Sequence, residues 1–180
     1  MAGAVVLENP RVDLIESYRE LVREFEEAGE DLIPFPLGFP HEDGPALVKR
    51  LAREARGEDL PEGFVAHSTY WLVLEDTTVV GVSNLRHEPT PFLRHEGGHI
   101  GYGIRPSARG KGLGTEILRQ TLAHAAEVGL ARVLIACDAD NERSMRTIVR
   151  NGGVLEADNV IAHDGTVMHR YWIALGHEPV

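Results

Sequence analysis

Ten residues, Arg105–Gly114 (RPSARGKGLG), constrain this chain more than any other stretch. They follow the apolar-rich run His99–Ile104 (HIGYGI), which reads as a strand, and precede Thr115–Leu130, which is patterned as a helix. A glycine-rich bend at that junction can aim several backbone N–H groups, and the positive end of a helix dipole, at one spot. Such a spot suits a phosphate. Gly110, Gly112 and Gly114 let the main chain approach closely, and Arg109 and Lys111 can add charge-assisted contacts. A strand–helix junction without a ligand explains the same glycines, so this stretch alone leaves both readings open.

The flanking chain reads as one mixed α/β domain of 180 residues. Ala4–Glu8 makes a short strand. Leu14, Tyr18, Leu21, Val22 and Phe25 then form one helical stripe, with Asp13 and Glu16 as a capping pair and Gly29 as the stop. Glu30–Pro45 carries four prolines; a packed surface loop and a lid over a ligand both fit it. Leu47, Leu51 and Ala55 share a face of the next helix. Ser68–Glu88 reads as a hairpin turning at Glu75–Thr77, with Trp71 and Val73 on one face and Leu72 and Leu74 on the other. Apolar residues on both faces predict a sheet covered on both sides.

After the glycine bend, Ile117, Leu118, Thr121, Leu122, Ala125 and Val128 make an inward stripe. Ala131–Ala139 is a short buried strand suited to parallel pairing, Asn141–Gly153 a helix, and Val154–Leu175 two strands turning at Asp164–Gly165.

Charge and cysteine use narrow the function. The formal charge is −10, from 18 basic and 28 acidic residues, which argues against nucleic acid or an anionic membrane as partner. It leaves room for a small anion at a locally basic loop. One cysteine, Cys137, excludes an internal disulfide framework, and a buried structural role suits it. No stretch is long and apolar enough to span a bilayer, and no signal peptide is evident, so a cytoplasmic location is expected. The nine histidines show no zinc-site spacing, so no metal is expected.

Two motifs together resemble the GNAT (GCN5-related N-acetyltransferase) superfamily. RGKGLG, Arg109–Gly114, is similar to its pyrophosphate-binding pattern, with Arg109, Gly112 and Gly114 at the defining places and Gly110, Lys111 and Leu113 between them. The second motif, Val133–Glu156, resembles the next strand and helix of the family. Asn141 stands where a cofactor-contacting asparagine occurs, although a helix cap explains it equally. Ser144 lies one turn further on the same helix face and could reach the cofactor too. The resemblance covers about residues 98–156.

It implies a centrally splayed β-sheet flanked by helices, with acetyl-CoA in the splay and its pantetheine arm held by backbone near Ile104 and Pro106. The implied reaction is acetyl transfer to a primary amine, here expected on a small molecule; the alternative is a non-catalytic acyl-CoA sensor. The chain departs from the family at Ile148, where many relatives carry a tyrosine acid; Tyr171 is a distant candidate for that role. Candidate bases cluster at His95, Glu96 and His99, with Glu96 and His99 preferred. Arg86 and Glu88 either orient a charged substrate or lie on a solvated edge. Asp138 and Asp140 read as loop-shaping. A homodimer through the last two strands is compatible with the sequence.

Overall fold

In the computed structural model, which describes residues 3–176, two antiparallel sheets meet at one point. The first has the order β1 (Val5–Glu8), β2 (His67–Leu74), β3 (Thr78–Arg86), β4 (Ile100–Ile104). The second has the order β5 (Arg132–Asp138), β7 (Val167–Ala174), β6 (Val154–Ile161). β5 therefore pairs antiparallel with β7, not in parallel with a neighbour as its apolar run suggested. Between β4 and β5 the contact narrows to His99 and Leu134: His99 N–H donates to Leu134 O at 2.7 Å, and Leu134 N–H donates to His99 Nδ1 at 2.9 Å. Beyond that junction no ladder joins the two strands among the described residues.

Four helices cover the sheets. α1 (Ile15–Glu27) and α2 (Gly44–Ala55) pack on one face of the first sheet. Their buried stripes, Tyr18, Leu21, Val22 and Phe25 with Leu47 and Leu51, meet Trp71, Val73 and Val82. Tyr18 stacks on Trp71 with centroids 4.6 Å apart, a pairing that adds about 0.5–1.5 kcal/mol beyond area burial. α3 (Leu113–Glu127) and α4 (Glu142–Arg150) cover the other face through Ile117, Leu118 and Ile148, against Leu72, Ile100 and Ile135. Strand alternation thus divides the two cores as the sequence indicates, Trp71 to one and Leu72 to the other.

Local details differ from the sequence pattern in three places. Asp13 does not cap α1: a 3-10 turn, Val12–Leu14, precedes the helix, so Asp13 lies within that turn and pairs with Arg11. Val128, counted in the inward stripe, lies past the end of α3 and is 43% exposed. The β2–β3 turn has no glycine; Glu75 and Asp76 themselves take left-handed φ of 53° and 59°. The Asp164–Gly165 turn forms as expected, with Gly165 at φ 89°. β6 is an edge strand interrupted by register shifts at Leu155/Ala157 and Ala157/Val160, and Val154, Leu155 and Ile161 are exposed on it.

Three histidines are kept neutral by the fold. Burial, with the nearby Arg86, His87 and Arg50 adding to it, pushes His67 down to about 4, although the Glu54 carboxylate lies 3.5 Å away. Burial likewise holds His87 and His99 below their ordinary 6.5. With folded-state values depressed, the unfolded chain binds more protons as pH falls through 6.5, so the stability these groups contribute is full above that pH and lost below it. We expect Tm to fall between about pH 7 and pH 5, before most carboxylates titrate. A constant Tm across that interval would contradict the neutral assignment.

Candidate active site

A cleft of about 910 Å³ opens between the end of β4, the glycine bend, α4 and the loop after α1. The glycine bend forms one wall. Gly110 and Gly112 have φ of 80° and 79°, and Gly112 is the N-cap of α3. Its carbonyl accepts from Thr115 and Glu116 N–H, whereas the N–H groups of Leu113 and Gly114 lie ahead of any acceptor within the helix. Those donors and the helix dipole face the cleft in an arrangement chemically suited to an anion.

The facing wall is α4. Arg143, Arg146 and Arg150 all line the cleft, and among the described residues only Arg146 has an ion-pair partner, the exposed Glu142. Asn141 caps α4 by accepting from Ser144 N–H at 3.0 Å, and it also lines the cleft, so the two roles weighed for it coexist in space.

β4 supplies the floor. Arg105 N–H bonds Val80 O, and Arg86 N–H bonds His99 O. Antiparallel alternation from these bonds turns the backbone groups of Tyr102 and Ile104 away from β3, to the unpaired edge that faces the splay. Ile104 O on that edge accepts from Arg109 Nε at 2.9 Å. On the face opposite Tyr102, Gly103 lies under the proline-rich loop: a Cβ there would come within 2.3 Å of Ile33 O. That loop is therefore both packed and a wall, since Glu30, Asp31 and Ile33 line the cleft.

Arg109 is bound within the chain on both sides. Its two terminal nitrogens each meet an oxygen of Glu30 at 2.7 Å, and this pairing holds the Glu30 carboxyl below the usual carboxylate range. Arg105 and Ser107 are gripped by Glu24 in the same way, which ties the exit of β4 to α1. Asp31 has no side-chain partner among the described residues.

Of the residues singled out from sequence, Ile104, Arg109, Gly110, Gly112, Leu113, Gly114, Asn141 and Ser144 line this one cleft. Pro106 and Lys111 lie next to it in the chain and do not line it; neither do Glu96 and His99. Glu96 is engaged by His163, whose backbone N–H donates to Oε2 at 3.1 Å and whose ring meets Oε1. Burial opposes ionisation of Glu96, and these bonds overcome it and hold its carboxyl low. His99 is 3% exposed and spends Nδ1 on the strand junction. Arg86 reaches Gly97 O and Gly98 O at 3.0 and 3.2 Å. Burial pushes the buried Cys137 thiol up to about 11, which suits structure rather than nucleophilic attack. Among the described residues no cluster of ligating side chains could hold a metal, and no helix is long and apolar enough to cross a membrane.

Sequence reasoning passed over Tyr102, Thr147 and the α4 arginines. Tyr102 Oη lies 3.0 Å from Ser144 Oγ. The signals were present: Tyr102 alternates with Gly101 and Gly103 and so shares a face with Ile100 and Ile104, and Arg143, Arg146 and Arg150 recur at helical spacing.

The cleft thus joins a glycine bend at a helix start to an unpaired strand edge between two sheets. The family described as the acetyltransferase (GNAT) domain matches residues 19–154. The chain belongs to the GNAT acetyltransferase family. A curated relative, the ribosomal-protein-serine acetyltransferase of Escherichia coli (strain K12), is 29% identical over 92 residues, 50% of this chain and 49% of the relative. The match thus spans about half the length of that relative. Solved structures share the fold over more of the chain. The microcin C7 self-immunity acetyltransferase MccE, in complex with acetyl-CoA and AMP, superposes with a TM-score of 0.69 at 18% identity, over 94% of this chain and 92% of that one. The Salmonella typhimurium acetyltransferase that modifies the N-terminal serine of ribosomal protein L7/L12 gives 0.67 at 20% identity, over 94% of each chain.

Proposed function

We propose that this chain transfers the acetyl group of acetyl-CoA to a primary amine. The observation that carries the reading is the single cleft joining the Gly110–Gly114 bend, the free edge of β4 and the arginine face of α4. The N–H groups at the start of α3 hold the diphosphate, and Arg143, Arg146 and Arg150 supply the positive charge that Arg109 has already given to Glu30. The pantetheine arm adds as a short strand beside β4, pairing with Tyr102 and Ile104 backbone groups. A backbone N–H on the same edge polarises the thioester carbonyl and holds the negative charge that develops on its oxygen.

The acceptor arrives as an ammonium, drawn by the carboxylates of Asp31, Asp138, Asp140 and Asp164; burial and these neighbours together push the Asp138 carboxyl up. It must lose a proton before attack. Glu96 and His99 stand outside the cleft with their acceptor atoms engaged, so in this reading Asp31, directly or through water, takes that proton. Nitrogen then attacks the carbonyl, the C–S bond breaks, and CoA leaves.

The test is a calorimetric titration with acetyl-CoA, followed by CoA release in the presence of spermidine, an aminoglycoside and a serine-initiated peptide. The first two stand for the small-molecule acceptor expected from sequence, the third for the acceptor named in the relatives. Saturable binding and amine-dependent release of CoA are expected. Binding without release across the panel would favour the sensor reading, and a folded protein that binds no acetyl-CoA would remove both.

A further inference from the structure

The thiolate that leaves must gain a proton, and Ile148, fully buried in α4, has none to give. The cleft contains a replacement on a different element. Tyr102 projects from β4 into the cleft, and its hydroxyl lies 3.0 Å from Ser144 Oγ on the first turn of α4. Thr147, one turn further along α4, also lines the cleft beside the glycine bend; a Cβ placed on Gly114 would sit 3.4 Å from its Oγ1. Hydroxyls on β4 and on α4 therefore face one another across the cleft in which the reading above lays the pantetheine arm.

We propose that Tyr102 is the acid that protonates the departing CoA thiolate, with Ser144 and Thr147 hydrogen-bonded to the phenolate it leaves. The inference rests on the acetyltransferase reading above. As the C–S bond breaks, its electron pair stays on sulfur. The O–H bond of Tyr102 breaks and an S–H bond forms. The nitrogen's second proton, lost as the amide forms, returns through water to the phenolate; the first, taken by Asp31 before attack, passes to solvent, so acetylation of an ammonium releases one proton overall. Ser144 serves both states because a hydroxyl either accepts from the phenol or donates to the phenolate. Burial pushes Tyr102 up to about 12, with the neighbouring hydroxyls opposing the shift, so it is protonated throughout the working pH range. Cys137 is the other protonated group in contact with Ser144, and it makes the natural control.

The experiment compares the full-length protein with Tyr102→Phe, which keeps the ring and deletes only the hydroxyl. Acetyl-CoA affinity by calorimetry should stay within about threefold, while kcat with the best amine of the panel falls about a hundredfold or more and its solvent deuterium isotope effect changes. A second measurement needs no acceptor: ultraviolet absorbance follows ionisation of the CoA thiol in the bound complex. With Tyr102 donating to sulfur, that thiol should ionise about tenfold more readily in the native protein than in Tyr102→Phe. Unchanged kcat, or a parallel loss of affinity and turnover, would overturn the assignment, as would identical thiol ionisation in the two proteins. A loss of turnover in Cys137→Ala but not in Tyr102→Phe would transfer the role to the thiol and equally overturn it. Should the native protein bind acetyl-CoA and acetylate nothing, the transferase reading fails, and the thiol measurement still decides whether Tyr102 meets the sulfur.

Discussion

Gly112→Asp should weaken acetyl-CoA binding by a hundredfold or more while leaving the protein folded. Two properties of the position separate those outcomes. As the N-cap of α3, Gly112 tolerates an aspartate better than most residues, because a carboxylate there satisfies helix N–H groups and favours the dipole. This offsets much of the cost, about 1 kcal/mol, of placing a side chain at a φ of 79°. Nothing lies within 4 Å of the added Cβ, so no packing is disturbed. The new carboxylate, however, takes the donors meant for the diphosphate and adds a like charge beside it; one such pair a few ångströms apart at a partly wet surface costs roughly 3–4 kcal/mol. Gly112→Asn, of the same size and neutral, separates charge from bulk and should lose far less. Calorimetry on the two variants reads the difference, and unchanged affinity in Gly112→Asp would place the diphosphate elsewhere.

His99→Ala is expected to destabilise the fold by about 2–4 kcal/mol, whereas His99→Asn should keep most of the stability and the activity. The imidazole is buried, and its Nδ1 accepts the N–H of Leu134 where the two sheets join. Truncation leaves that N–H without an acceptor, at about 1–3 kcal/mol, and adds a cavity. Asparagine places Oδ1 near the former position of Nδ1. A general base could not be replaced in this way, because an amide does not take up a proton at working pH. Chemical denaturation and CoA-release rates on both variants test the distinction. An inactive but stable His99→Asn protein would restore the catalytic role first expected from sequence.

Most of the architecture was legible because apolar periodicity reports which side of an element is covered. The stripe on α1 and the opposite burial of Trp71 and Leu72 follow from that, while the Asp164–Gly165 turn follows from its residue types. Periodicity does not report which strand is the neighbour. The run Val133–Cys137 reads the same beside any strand, and only the tertiary structure reveals that β7 is its partner and that His99 closes the gap to β4. The glycine bend was legible because its residue types have few other uses. Tyr102 was not: a tyrosine between glycines on a strand reads as core until α4 is seen to bring Ser144 to it. Glu30 was equally hidden, since its partner Arg109 lies 79 residues away.

The two irregularities in β6 bear on how this protein meets copies of itself. An outermost strand with exposed valine, leucine and isoleucine would ordinarily invite another chain to extend the ladder. Here the offsets at Leu155/Ala157 and Ala157/Val160 break the even row of main-chain donors and acceptors that such an extension requires. Runaway stacking into fibres is thereby discouraged, and any twofold assembly built on these strands must press side chain against side chain rather than lengthen the sheet.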